Sequence, residues 1–269
     1  MNKFILHNND LLREDSFSLK RNNRSFLYSD GFFESIKVIN SRCFNLEAHF
    51  NRIIKTSEFF KMEISFSLSE LQNLLDVFIE KNKIVGGVIR MVFYRDSEGK
   101  YFPKENKICF VAETEISLNG FNLNKNGLNL GIFTDIRKDK RKFSNYKNTN
   151  AVISVLASIY AKENNWHDCL LINTDDEIIE SSNSNLFIVK SDRIITPPIT
   201  DGCLDGTMRS FIKKQFDVEE ESISKEDLFT ADEVFLTNAI KGVRWVESFN
   251  EKKYQSHKVA RLVFDIINS

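Results

Sequence analysis

Two stretches of helical period, set between runs of strand formers, constrain this chain most. Leu46, His49, Phe50, Ile53, Ile54, Ser57 and Phe60 recur at the spacing of one helix face. Leu71, Leu74, Leu75, Phe78 and Ile79 do the same between Leu68 and Lys81. Before them, Phe33 to Ile39 reads as a strand, with an Asn40-Ser41 turn and a hairpin return at Arg42-Cys43-Phe44. After them, Val88 to Tyr94 and Ile108 to Ala112 read as strands. Strand, helix, helix, strand, strand is a small α/β unit, expected over residues 1–113. The polar, glycine-containing stretch 114–127 reads as a linker.

The second half, residues 128–269, mixes short strands with helices. A strand is expected from Leu128 to Phe133, then a charged run from Asp135 to Lys142, then a helix from Thr149 to Glu163. Short strands follow at 169–173, 185–189, 193–196, 234–237 and 243–246, with helices at 207–216 and 256–267. This alternation predicts an α+β fold with a mixed, barrel-like sheet in the larger C-terminal part. No G-x-G-x-x-G and no G-x-x-x-x-G-K occurs, which argues against dinucleotide and P-loop binding.

Composition closes off other classes. Hydrophobic residues are 42% of the chain and include 24 Phe, so the core is expected to be aromatic-rich. A net charge of −1, spread without basic blocks, gives no reason to expect nucleic acid or a charged membrane as partner. The N-terminal stretch from Met1 lacks the apolar run of a signal peptide, and no segment approaches the roughly 18 apolar residues of a membrane span. Cys43, Cys109, Cys169 and Cys203 are widely spaced and read as thiols of a reducing cytoplasm. The four histidines show no metal-ligand spacing, so no metal is expected.

Two residues carry a chemical suggestion. Lys147, in Ser144-Asn145-Tyr146-Lys147-Asn148-Thr149, sits at an expected loop-to-helix junction where a lysine can form a Schiff base. Glu180 opens the run Glu180-Ser181-Ser182-Asn183-Ser184-Asn185-Leu186-Phe187, and a carboxylate there can face a protonated heterocycle. Taken singly, the first is a solvated loop lysine and the second an Asx/Ser turn.

Six stretches in order change that reading: Tyr28 to Val38, Leu46 to Arg52, Tyr146 to Asn150, Glu180 to Phe187, Thr196-Pro197-Pro198 with Gly202 to Arg209, and Asp232 to Asn238. Together they resemble the class IV pyridoxal-phosphate enzymes, which include branched-chain aminotransferase, D-amino acid aminotransferase and 4-amino-4-deoxychorismate lyase. The resemblance implies the two-domain D-amino acid aminotransferase-like fold and pyridoxal 5'-phosphate as cofactor. It makes Lys147 the cofactor-linked amine and proton-transfer base. Glu180 becomes the acid at the pyridine nitrogen, and Arg52 the phosphate arginine, one turn from His49. Ser184 and Asn185 line the cofactor. Gly206, Thr207 and Met208 form the phosphate turn at a helix start, and Asn238-Ala239 a second turn. Neither Met208 nor Ala239 carries a hydroxyl.

Substrate recognition falls on Phe33, on Arg90, which should share a strand face with Val92 and Tyr94, and on Arg95 and Lys100. For Arg90 a structural ion pair is the competing reading, and for His49 a packed core position. The last two of the four flank a loop that in the family often reaches the partner's site in a homodimer. Three functions remain open. The first is an aminotransferase moving an amino group between a small, for example branched-chain, amino acid and a 2-oxo acid. The second is a lyase releasing pyruvate from aminodeoxychorismate to give 4-aminobenzoate. The third is a non-catalytic member of the fold. Gly206-Thr207-Met208-Arg209 and Leu236-Thr237-Asn238-Ala239 resemble the lyase. Its Arg-Gly-Tyr run is replaced by Gly99-Lys100-Tyr101, and Glu34-Ser35 follows Phe33 where the lyase has a threonine. The aminotransferase reading is preferred, because its general site is complete.

Overall fold

The structure, a computed structural model, describes residues 3–268. Met1, Asn2 and Ser269, which begin and end the two expected domains, lie outside the described residues. Contacts divide the chain into two compact units. One runs up to Gly120 and takes in Lys147–Asn150; the other holds Phe121–Tyr146 and the chain from Ala151 onward.

The first unit contains β1 (Phe4–His7), β2 (Asp10–Arg13), α1 (Arg24–Tyr28), β3 (Gly31–Ile39), β4 (Arg42–Cys43), α2 (Leu46–Phe60), α3 (Leu68–Asn82), β5 (Gly87–Arg95) and β6 (Ile108–Ile116). Its six strands form one antiparallel sheet in the order β2-β1-β6-β5-β3-β4. The two amphipathic helices cover one face. Ile53 of α2 and Leu71, Leu75 and Phe78 of α3 bury against Ile36, Val38, Ile89, Met91 and Phe93 of the strands. Phe32 stacks on Phe93 with ring centroids 4.8 Å apart, and Phe93 meets Phe110 at 5.5 Å, so this core is aromatic. A capping box between Ser67 and Glu70 fixes the start of α3.

The second unit contains β7 (Leu128–Lys138), α4 (Val152–Glu163), β8 (Asp168–Asn173), β9 (Ile178–Ser181), β10 (Asn185–Lys190), β11 (Arg193–Thr196), α5 (Thr207–Gln215), β12 (Val218–Glu220), α6 (Lys225–Thr230), β13 (Glu233–Asn238), β14 (Gly242–Phe249), β15 (Lys252–Lys253) and α7 (Lys258–Ile267). Six of these strands close a ring, β10-β13-β14-β7-β8-β9, through the Asn185–Glu180 pairing of β10 with β9. The β14–β7 and β7–β8 neighbours are parallel and the others antiparallel, so the barrel is mixed. Leu130, Leu170, Leu186, Ile188, Val234, Leu236 and Val246 belong to one buried cluster that fills it. The α+β architecture with a barrel-like second part is the one its pattern predicts.

Three local expectations change. The strand from Leu128 continues to Lys138, into the charged run, because Arg137 and Lys138 find acidic partners in Asp176 and Glu180. The helix expected from Thr149 begins at Val152. The residues ahead of it are extended and lie along β3: Phe33 N–H donates to Lys147 O at 2.9 Å, and Thr149 N–H to Gly31 O at 3.0 Å. Lys147 is therefore in an extended segment and not at a loop-to-helix junction. Within the stretch 114–127, residues up to Ile116 continue β6, and Phe121 packs against Gly242 in the second unit.

Candidate active site

Glu180 stands on β9 where the barrel ring closes, and it is 7% exposed. One carboxylate oxygen accepts from Lys138 Nζ at 2.5 Å and the other from Leu204 N–H at 2.9 Å. Lys138 also donates to Ser144 O at 3.0 Å. The buried acid is thus charge-paired and aimed by two covalently distant groups. Cys203, beside it, is pushed up to about 12 by burial and by the Glu180 charge, so its thiol stays protonated.

Ser184 and Asn185 begin the neighbouring strand. Asn185 Nδ2 donates to Leu204 O at 2.8 Å, and Asn238 Nδ2 donates to Ser184 Oγ at 2.9 Å. The two expected phosphate turns therefore flank one strand start. Gly206 precedes α5, and no side chain caps that helix, so its first amides, at Thr207 and Met208, are left to an anion. A Cβ at Gly206 would lie 1.9 Å from Asn185 Oδ1, so only glycine lets the turn approach this closely. Asn238 Oδ1 accepts from Ile240 N–H and Lys241 N–H, so its side chain braces its own turn. Ala239, the next residue, is half-buried. Thr237 Oγ1, across the ladder from Asn185, is buried without a hydrogen-bond partner.

The first unit holds the amine. Lys147 Nζ lies 4.3 Å from the centroid of the Phe33 ring, and Arg90 Cζ lies 4.4 Å from the same centroid. Ser35, not Phe33, is the register partner of Arg90, so Phe33 is its diagonal neighbour across the ladder. Arg90 is exposed, and no acid stands within ion-pair distance of it among the described residues, although Glu113 is its register partner on β6.

Glu34 points to the opposite face of β3. It is 1% exposed and accepts from His49 Nδ1 at 2.6 Å, Arg52 Nε at 2.7 Å and Arg52 Nη2 at 2.6 Å. Burial alone pushes this carboxyl up; Arg52 and His49 more than overcome it and hold it at about 2. Arg52 thus does not share the Phe33 face with Lys147 and Arg90, and its Nε–Nη2 edge belongs to Glu34. His49 is a buried core residue of this network.

Arg95 corrects an expectation. Its guanidinium gives Nε and Nη2 to Asp30, Nη1 to Lys61 O and Asn106 Oδ1, and Nη2 again to Phe60 O. With every nitrogen engaged and 7% exposure, it is a structural latch and not a substrate-facing cation. Arg24 shares Asp30 and holds the Gly99 and Lys100 carbonyls at 3.0 and 2.6 Å. Lys100 itself is exposed, with its backbone fixed by that contact. Sequence reasoning missed Glu34, Lys138 and Asp30 as partners. The inward-facing charge at Glu34 in a strand of buried apolar neighbours was the one available signal.

An amine on an aromatic ring, a buried acid held by a lysine, and an uncapped helix start at a glycine are what a pyridoxal-phosphate enzyme needs. The chain belongs to the class IV aminotransferase family, whose model matches residues 31–249. It is similar to a D-alanine aminotransferase of Staphylococcus aureus, 29% identical over 243 residues, covering 89% of this chain and 83% of that one. It is also similar to a probable branched-chain-amino-acid aminotransferase of Aquifex aeolicus, 29% identical over 247 residues, with coverage of 85% of this chain and 78% of that one. The branched-chain aminotransferase of Thermoproteus uzoniensis superimposes with a TM-score of 0.91 at 19% identity, over 99% of this chain and 94% of that one. A putative 4-amino-4-deoxychorismate lyase of Legionella pneumophila does so at 0.86 and 23%, over 95% and 96%. The cofactor is pyridoxal 5'-phosphate, and the residues present fit it: an amine, a buried acid for the ring nitrogen, and free helix-start amides for the phosphate.

Proposed function

We propose that this chain is an aminotransferase that moves an amino group between a small amino acid and a 2-oxo acid, with Lys147 as its catalytic residue. The observation that carries the reading is the shared ring. Arg90 Cζ and Lys147 Nζ lie 4.4 and 4.3 Å from the centroid of the same Phe33 ring, so a carboxylate on Arg90 brings its amino carbon toward the lysine. Bound cofactor supplies an electron sink for the bond broken at that carbon. Lys147 Nζ would be the base that moves the proton at that carbon. Glu180, fixed in place by Lys138 and the Leu204 amide, would face the ring nitrogen. The amides of Thr207 and Met208 would take the phosphate, and Ser184 and Asn185 align the turn. Phe33 and Arg90 bind substrate, and Lys100 lies on the loop nearest to them in sequence.

The names of the relatives, D-alanine and branched-chain aminotransferase, support a small donor. A homodimer fits the exposed Phe26, Tyr101 and Phe102, which are 82–88% accessible on the single chain. A reducing, cytoplasmic setting fits four free cysteines. No described helix is long and apolar enough to cross a membrane.

The test mixes cofactor-loaded protein with D-alanine or L-valine alone and follows the visible band. Transfer chemistry converts the cofactor to its amine form, and Lys147→Ala abolishes both the band and the conversion. Pyruvate released from aminodeoxychorismate without any 2-oxo acid acceptor refutes transfer and establishes the lyase.

A further inference from the structure

Behind the Asn238–Lys241 turn lie two cations that the reading above does not use. Arg244 pairs in register with Leu236, a residue of the barrel's interior cluster, and stands two residues before Val246 of the same cluster. Its side chain therefore enters the end of the barrel under the β13–β14 turn, where it is half-buried. Lys241 closes that turn and is exposed. Neither head group has an acid within ion-pair distance among the described residues. The acid whose charge reaches both is Asp168. Asp168 is buried and spends its oxygens elsewhere, on Ser181 Oγ at 2.8 Å, Cys169 N–H at 2.8 Å and Ser182 N–H at 3.3 Å. Two positive charges face one negative charge, so the turn carries an excess of +1. Partial desolvation at the ammonium, and then Arg244, hold Lys241 below its ordinary range although much of its side chain is exposed.

The excess sits beside two turn positions that lack a hydroxyl. Ala239 and Met208 offer no hydroxyl, and Asn238 is consumed in bracing its own turn and Ser184. The Ser184–Asn185 start of β10 connects this turn to the Gly206 turn: Asn238 bonds Ser184, and Asn185 packs on Gly206. We propose that Lys241 and Arg244 hold the phosphate dianion of the cofactor electrostatically from behind the Asn238–Lys241 turn, in place of hydroxyl contacts. The assignment rests on the cofactor reading given above. No contact between either cation and the phosphate is required: half-buried Arg244 acts through low-dielectric protein over several ångströms, and exposed Lys241 adds a contribution that salt screens.

The experiment titrates full-length protein with pyridoxal phosphate and with pyridoxal, which lacks the phosphate. Lys241→Met is the leading variant because its position is exposed and its removal leaves the barrel intact. Arg244→Met and the double variant accompany it. The expected result is that each single change weakens pyridoxal phosphate about fivefold. Pyridoxal affinity should stay within twofold, and the wild-type preference for the phosphorylated form should narrow with added salt. An unchanged ratio of the two affinities in Lys241→Met overturns the proposal while leaving the cofactor reading intact. A wild type that binds neither compound overturns both. Inorganic phosphate is the third probe. If it raises the melting temperature equally with and without bound cofactor, the pair serves a separate free-phosphate site and the assignment to the cofactor is wrong. If it competes with the cofactor, and does so less well in Lys241→Met, the assignment stands.

Discussion

Replacing Glu34 by glutamine tests the buried network that fixes Arg52. Glutamine keeps the shape and removes the charge, leaving the Arg52 guanidinium under the sheet with a neutral partner. Folding takes this carboxyl from an ordinary value of 4.5 to about 2. At about 1.36 kcal/mol per pH unit, that gap corresponds to roughly 3 kcal/mol of stability at pH 7, within the range for breaking a buried ion pair. Because the folded value is depressed, the contribution is complete above about pH 5 and declines as pH falls from the unfolded value toward the folded one. By pH 3.5 a little under half of it should be gone. The assay is urea unfolding of wild type and Glu34→Gln at pH 7, 5 and 3.5. It is followed by far-ultraviolet circular dichroism, with tryptophan fluorescence in parallel, since Trp166 and Trp245 both lie in the second unit. The expected outcome is a difference of about 3 kcal/mol at pH 7 that shrinks by a little under half at pH 3.5. A difference below 1 kcal/mol, or one independent of pH, would refute the charge-network account of Arg52.

Two further substitutions separate structural from chemical roles. Gly206→Ala keeps an ordinary backbone, since φ is −75°, so its whole effect comes from the Cβ that meets Asn185 Oδ1. The variant should lose about 1–3 kcal/mol and bind cofactor at least tenfold more weakly, measured by thermal melting and absorbance titration; unchanged cofactor affinity would mean that the turn does not face the phosphate. Arg95→Met should cost about 3 kcal/mol or more and leave kcat/KM of the folded fraction within twofold; a hundredfold fall in kcat/KM at wild-type stability would restore Arg95 to the substrate.

What the sequence made legible follows from range. The helices α2 and α3 were readable because their apolar residues repeat every three to four positions, and β5 because strand formers run unbroken from Val88 to Tyr94. The β1–β2 hairpin, with four residues a side, was too short to give a period. The start of α4 was misplaced because helix propensity is local, whereas the pairing of Lys147–Thr149 with Gly31 and Phe33 joins residues more than a hundred apart. The site divides the same way. Lys147, Glu180 and Gly206 stand in stretches whose order along the chain is recognisable, but the residues that set their properties do not. Lys138 lay in a run of charges that reads as a solvated face; only the extension of β7 and the closing of the barrel bring it to Glu180. Arg95 failed as a substrate residue for the converse reason. A lone arginine at a strand end is indistinguishable in sequence from a free cation, and it takes Asp30, Lys61 and Asn106 to consume it. Arg90 is the same residue type on the same strand and has no acid within ion-pair distance among the described residues, so the difference between the two arginines lies in the acids that the fold brings to one and withholds from the other.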